Sequence, residues 1–241
     1  MNISMFLDET ATQTNILDEL AKAISTVGTN DTLVFYYAGH GLFDHHQRYW
    51  LSTSQSSPNN ISETGIDFAL LQNKLQIIPG KPLLILDSCH SSVVSEDHTR
   101  QYGRKNISDI VKSLTNVEAG LQVLTASQGD QFALEDARWN HGVFTMALLE
   151  AMQNSYLYRE AIAVPLPADK NHDGIIDFDE IRSYVTQRVK EVTNHAQVPS
   201  GETKFPPIVS HRPIVRIVSL TLILGFRLIE CIVRCSRVRL F

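Results

Sequence analysis

Two short runs carry the side chains most able to do covalent chemistry. One is Tyr36-Tyr37-Ala38-Gly39-His40-Gly41 and the other is Asp87-Ser88-Cys89-His90-Ser91. A thiol becomes a useful nucleophile when an imidazole sits beside it to manage the proton, so Cys89 and His40 form a candidate pair. The glycines on either side of His40 leave room for a ligand to approach the backbone closely. Taken singly, each residue has a plainer reading: a surface histidine after a strand, and a small cysteine packed beside one.

The two runs need elements that bring them together, and the hydrophobic pattern provides them. Residues 32–38 (TLVFYYA) and 82–86 (PLLIL) are short, continuous apolar runs of the kind found in strands buried on both faces. Each leads straight into one of the reactive runs. Helical spacing is visible over 12–27, with Ile16, Leu20, Ile24 and Val27, and again from Phe68 through Leu71, Leu75 and Ile78 to Pro79-Gly80. Residues 52–64 read as a polar loop and 91–105 as a surface loop. Helix candidates follow at 107–117 and 142–152, with a third strand at 121–126 between them. Such alternation predicts an α/β fold with a mostly parallel sheet flanked by helices. In such sheets the ligand crevice lies at the carboxyl ends of the strands, where His40 and Cys89 would meet.

Composition agrees with one ordinary globular domain. The chain has 241 residues, 43% hydrophobic and 20% charged, enough to bury a sizeable core without staples. Its three cysteines, Cys89, Cys231 and Cys235, offer no disulfide framework, and the polar start from Asn2 to Asp8 does not read as a secretory signal. A reducing, cytoplasmic setting is the expectation. Net charge is -5, but residues 212–241 hold six arginines and one glutamate. Taking these from the totals of 21 basic and 26 acidic residues leaves 15 and 25, so the body carries about -10 and the tail +5. A nucleic-acid-binding body is excluded on that count. Two regions are therefore expected: a domain over 1–211 and a basic, apolar tail over 212–241.

The tail has three readings. Its uncharged run over 217–226 is about half the length of a spanning helix. A basic helix lying on a membrane surface is one alternative, and a last sheet strand within 213–220 is another.

The runs YYAGHG and DSCHSS resemble the two catalytic signatures of the caspase-like cysteine peptidases, nearest the bacterial metacaspase-like (orthocaspase) branch, whose usual forms are YYAGHG and D-[SA]-C-H-S-G. Cys89 follows His40 by 49 residues, as in such enzymes. Thr125-Ala126-Ser127-Gln128, with Ala133 and Glu135, and then His141-Gly142-Val143-Phe144-Thr145 are similar to the family's strand and helix after the nucleophile. The resemblance covers about residues 6–200.

It implies a cysteine endopeptidase acting on proteins or peptides. Cys89 would be the nucleophile, His40 the general acid/base, and the backbone N–H groups of Gly41 and Cys89 the oxyanion donors. Asp87 would be the specificity-pocket carboxylate, favouring Arg or Lys before the scissile bond. The resemblance also implies a first strand and helix that this chain lacks, the strand lying between those near residues 3–7 and 32–38. Ser92 replaces the usual glycine. A catalytically impaired remnant, serving as a calcium-binding or interaction module, is the alternative reading.

A separate run, Asp169-Lys170-Asn171-His172-Asp173-Gly174-Ile175-Ile176-Asp177-Phe178-Asp179-Glu180, matches a twelve-residue calcium loop. Side-chain oxygens are expected from Asp169, Asn171, Asp173, Asp177 and Glu180, and a carbonyl from Ile175. A helix over 178–194 follows, but Pro165 and Pro167 precede the loop, so half an EF-hand is expected. A plainer reading is an acidic helix N-terminus. His45, His46 and His90 lack acidic or cysteine partners at metal spacing and read as loop residues.

Overall fold

The computed structural model describes residues 2–46, 48–90, 120–127, 135–136, 141–152, 166–173, 176–203 and 217–224, with the backbone alone for 89–90, 135–136, 141, 202–203 and 217–224. Its elements in chain order are β1 (Asn2–Leu7), a 3-10 turn (Asp8–Thr10), α1 (Gln13–Thr26), β2 (Thr32–Phe43), β3 (Tyr49–Leu51), α2 (Ile61–Thr64), β4 (Ile66–Asp67), α3 (Phe68–Gln76), β5 (Lys81–His90), β6 (Gln122–Thr125), β7 (Glu135–Asp136), β8 (His141–Gly142), α4 (Val143–Ala151), α5 (Phe178–Val192), β9 (Ser200–Thr203) and β10 (Ile217–Leu224). The loop expected over 91–105 and the helix expected over 107–117 lie outside the described residues.

Among the described residues the main sheet has eight strands: six lie in the order β1-β10-β2-β5-β6-β9, parallel except for β9, and β3 and β4 extend it from β2 in antiparallel pairing. Helices cover both faces, giving the α/β architecture that the alternation predicts. Strand periodicity sorts the core into two layers. Leu33, Phe35 and Tyr37 of β2, with Leu84 and Leu86 of β5, pack under α1 (Ile16, Leu20, Ala23) and α3 (Phe68, Leu71, Leu75). Val34, Tyr36 and Ala38, with Leu83 and Ile85, pack under α4 (Val143, Phe144, Ala147, Leu148) and α5 (Phe178, Ile181, Val185, Val189). This division explains the continuous apolar runs, because both faces of each central strand are covered.

Helices α1 and α3 begin where a side chain satisfies their first N–H groups. Thr12 caps α1 by accepting from the Asn15 N–H, and Asp67 caps α3 by accepting from Ala69 and Leu70. Across the second layer, Glu150 of α4 takes two hydrogen bonds from the Arg188 guanidinium of α5, at 2.7 and 3.2 Å.

Strand β10 comes from the basic tail. It lies inside the sheet, parallel to β1 on one side and β2 on the other, with Leu220 opposite both Ile3 and Val34. This is the slot that the resemblance assigns to the family's first strand. Among the readings of the tail, a sheet strand is the one seen over 217–224, later in sequence than the 213–220 window. No helix among the described residues is long and apolar enough to cross a membrane.

Candidate active site

Strands β2 and β5 are adjacent and parallel, and their register continues from Thr32↔Lys81 to Gly41↔His90. Within it Ala38 faces Asp87, Gly39 faces Ser88, and His40 faces Cys89. Residues 49 apart in sequence are therefore neighbours across one strand spacing of about 4.8 Å. Both strands run past the ends that periodicity suggests, to Phe43 rather than Ala38 and to His90 rather than Leu86. Pairing explains the extension of β2: beyond Ala38 it gains a second partner in β3, where Gly41, Leu42 and Phe43 face Leu51, Trp50 and Tyr49.

On the face under α1 and α3, two tyrosines hold the backbone at this end. Tyr37 is almost wholly buried, and its hydroxyl lies 2.8 Å from the His40 carbonyl and 2.9 Å from that of Ser52. The His40 carbonyl also accepts from the Ser52 N–H at 2.9 Å. Burial, followed by the neighbouring Tyr49, pushes the Tyr37 phenol well above its ordinary pKa, so it remains a neutral donor. Tyr49 lies across Gly41, with its hydroxyl 3.1 Å from Ser88 Oγ and its ring packed against Phe43 and Phe68. A Cβ on Gly41 would collide with the Tyr49 hydroxyl oxygen, so only glycine fits. The second glycine of Gly-His-Gly is thus required by packing, besides any closeness to a ligand.

On the opposite face the side chains are polar and serve a carboxylate. Asp87 is 8% exposed and accepts a hydrogen bond from the Thr145 hydroxyl in the first turn of α4. The Tyr36 hydroxyl lies 2.6 Å from Thr145 Oγ1. Burial, then the Asp87 charge, raises the Tyr36 phenol well above its usual range. The backbone of Gly142 passes so close that a Cβ there would stand 3.1 Å from Asp87 Oδ2. His40 is on this face by strand alternation and is exposed.

The turn between β2 and β3 is organised by Asp44. Its carboxylate accepts from the backbone N–H groups of His46 and Arg48, from Arg48 Nε at 2.7 Å and from Trp50 Nε1 at 3.1 Å. Burial pushes its pKa up, but the Arg48, Trp50 and His46 donors outweigh burial and hold it below the ordinary value. His45 and His46 are exposed on this turn. Motif and spacing do not single out Asp44, although an acid before Arg48 and Trp50 in a hairpin turn is a readable signal.

The acidic loop is described except at Gly174 and Ile175. Asp169, Asp177 and Glu180 are buried, whereas Asn171 and Asp173 are exposed. Glu180 draws the loop together: Oε1 accepts from the N–H groups of Lys170 (3.0 Å) and Asn171 (3.4 Å), and Oε2 accepts from Asp177 (3.1 Å). Asp177 in turn caps α5 by accepting from the Glu180 N–H. Asn171 and Asp173 bond to each other. Among the described residues no three His, Cys, Asp or Glu side chains converge as metal ligands. Asp169, Asp177 and Glu180 are oxygen donors of the kind a hard cation takes, but in this arrangement Asp177 and Glu180 are occupied by backbone N–H groups.

The residues that sequence pattern misses at the strand ends are Tyr37, Tyr49 and Ser88, together with the Tyr36–Thr145 link. The adjacent tyrosines are a signal, because neighbours in a strand must face opposite layers. No curated protein is significantly similar in sequence. A crystal structure of a protein from Geobacter sulfurreducens superposes with a TM-score of 0.51 at 15% identity, covering 86% of this chain and 80% of the other, and this likeness concerns the fold. In sequence, residues 2–206 match the caspase domain. The match takes in β1 through β9 and the strand ends that carry His40 and Cys89, so the chain belongs to the caspase-domain family.

Proposed function

We propose that the protein is a cysteine endopeptidase of the metacaspase-like kind, which cleaves after Arg or Lys and binds a calcium ion in its acidic loop. The observation that supports catalysis most directly is the register of β2 and β5, in which His40 and Cys89 are Cα partners. In this reading the Cys89 thiolate attacks the scissile carbonyl carbon, forming a C–S bond and a tetrahedral oxyanion. The backbone N–H groups of Gly41 and Cys89 stabilise that oxygen, and one such donor is usually worth about 3 kcal/mol of barrier. His40, as imidazolium, protonates the departing amine when the C–N bond breaks. Neutral again, it takes a proton from water, which attacks the thioester and releases the acid and Cys89.

Asp87 supplies the selectivity. A buried carboxylate near the nucleophile favours a substrate cation and disfavours a substrate Asp. The test is to incubate the protein with a peptidyl-Arg chloromethyl ketone and map the adduct by mass spectrometry. Modification of Cys89 by this probe, at a rate well above that of a peptidyl-Asp analogue, is expected. A folded protein that forms no adduct overturns the peptidase reading, and a preference for the Asp probe overturns the role of Asp87.

For calcium, Asp169, Asp177 and Glu180 would supply the buried carboxylates, Asn171 and Asp173 the outer oxygens, and Ile175 a carbonyl. Glu180 would exchange its present N–H partners for the ion. Calcium binding to the native state raises the melting temperature by mass action. That rise is expected with millimolar calcium and should vanish in Asp169→Ala; an equal rise in both proteins would contradict the assignment.

A further inference from the structure

Asp87 is held by a column of hydroxyls that ends deep in the second core layer. Thr145 has one hydroxyl proton, and it is directed at Asp87 Oδ2. The Tyr36 hydroxyl, 2.6 Å from the same Thr145 oxygen, must therefore be the donor in that contact. All three side chains are buried, Tyr36 at 3% and Thr145 at 1% exposure. The column thus runs one way, from Tyr36 to Thr145 to Asp87, and every proton in it points towards the carboxylate. Gly142, the N-cap of α4, offers no side chain to cap its own helix and lets the helix start approach Asp87 closely. The positive end of the α4 dipole therefore also favours the ionised carboxylate.

We infer that Thr145, backed by Tyr36, is a positioning residue that fixes the Asp87 carboxylate for a cationic side chain before the scissile bond. This rests on the peptidase reading for its substrate, although a preference for a cation beside Asp87 can be measured without turnover. A carboxylate free to rotate would still attract positive charge, but with less geometric discrimination between a guanidinium and a neutral isostere. Loss of the Thr145 donor is expected to lower discrimination about tenfold, the low end of what a hydrogen bond to a charged group contributes.

The experiment compares peptidyl-arginine and peptidyl-citrulline chloromethyl ketones, which differ in charge but hardly in shape, on wild type, Thr145→Val, Thr145→Ser and Tyr36→Phe. The expected arginine-to-citrulline ratio of Cys89 labelling rates falls about tenfold in Thr145→Val, about threefold in Tyr36→Phe, and returns to within twofold of wild type in Thr145→Ser. A merely structural role would lower both rates together and leave the ratio unchanged, and that result would overturn the inference. In parallel, calorimetry on Cys89→Ala measures binding of a peptide ending in arginine against one ending in citrulline, with and without Thr145→Val. If wild type forms no adduct but Cys89→Ala prefers the arginine peptide in a Thr145-dependent way, the peptidase reading fails and the positioning role stands. If wild type is labelled but the ratio is unchanged in Thr145→Val, the peptidase reading stands and the positioning role fails. Neither labelling nor preferential binding overturns both.

Discussion

The two faces of the sheet treat the same strand ends in opposite ways. Under α1 and α3, the hydroxyls of Tyr37 and Tyr49 are directed at backbone carbonyls and at Ser88, and they hold the strand that carries His40. Under α4 and α5, the hydroxyls of Tyr36 and Thr145 serve one carboxylate. Adjacent residues in one strand, Tyr36 and Tyr37, thus have different partners: one hydroxyl adjoins Thr145 and through it the Asp87 carboxylate, and the other adjoins the carbonyls of His40 and Ser52. Identical side chains acquire different roles because strand alternation sends them into different layers.

The largest way to break this arrangement is to remove what both faces share. β10 pairs with β1 and β2 inside the sheet, so a chain ending at residue 211 leaves two strand edges unpaired. The expected loss is comparable with the whole stability of a domain, about 5–15 kcal/mol. Circular dichroism should show no cooperative melt for the shortened chain; a melt like that of the full chain would mean that the faces stand without β10. Next in size is Gly41→Ala, which sets a methyl against the Tyr49 hydroxyl. Overpacking of this kind costs about 1–3 kcal/mol. Displacing the strand end should also cut Cys89 labelling by about a hundredfold, because small misplacements of reacting groups are costly. Unchanged labelling would show that Tyr49 can move aside freely.

Tyr37→Phe and Tyr36→Phe alter the two faces one at a time. Each removes one buried hydroxyl, worth about 1 kcal/mol. Tyr37→Phe should slow labelling by arginine and citrulline probes alike, while Tyr36→Phe should change their ratio. If both variants change the same quantity, the division between faces is wrong. The smallest effect concerns alkaline pH. Both phenols have raised pKa values in the folded protein, chiefly through burial. Above the ordinary tyrosine pKa of about 10 the unfolded chain releases protons that the folded chain retains, so stability falls as pH rises. Below that pH the contribution is fully present. Thermal melts from pH 9 to 11 should show a shallower decline in the double variant Tyr36→Phe/Tyr37→Phe than in wild type, and equal slopes would contradict the burial argument.

Much of this is legible in the sequence where information is local. The run 32–38 shows a strand buried on both sides, and Thr12 and Asp67 mark helix starts. His40 and Cys89 stand out by type and by their position after apolar strands. What is not legible depends on distant partners. β2 continues to Phe43 because β3 pairs with it, and nothing in the periodicity of 32–43 announces a third strand at 49–51. Thr145 is 58 residues from Asp87, so its role emerges only when α4 is laid on the sheet. The run 217–226 is apolar enough for several environments, and its length alone does not choose among them. A slot between β1 and β2 makes the choice in three dimensions. The calcium pattern is fully local, and in the fold its twelfth position, Glu180, caps the loop by accepting from three backbone N–H groups.

In the proposed mechanism the strand register makes His40 and Cys89 a working pair. The rates at which Cys89 reacts with a peptidyl-Arg chloromethyl ketone and with iodoacetamide, in wild type and in His40→Ala, test this. A cysteine paired with His40 should lose about a hundredfold or more of its reaction rate with the peptidyl probe in the variant, in keeping with the usual 10²–10⁴-fold contribution of a positioned acid–base group. Equal rates in the two proteins, with the fold intact, would show that the two residues are neighbours in the sheet and nothing more.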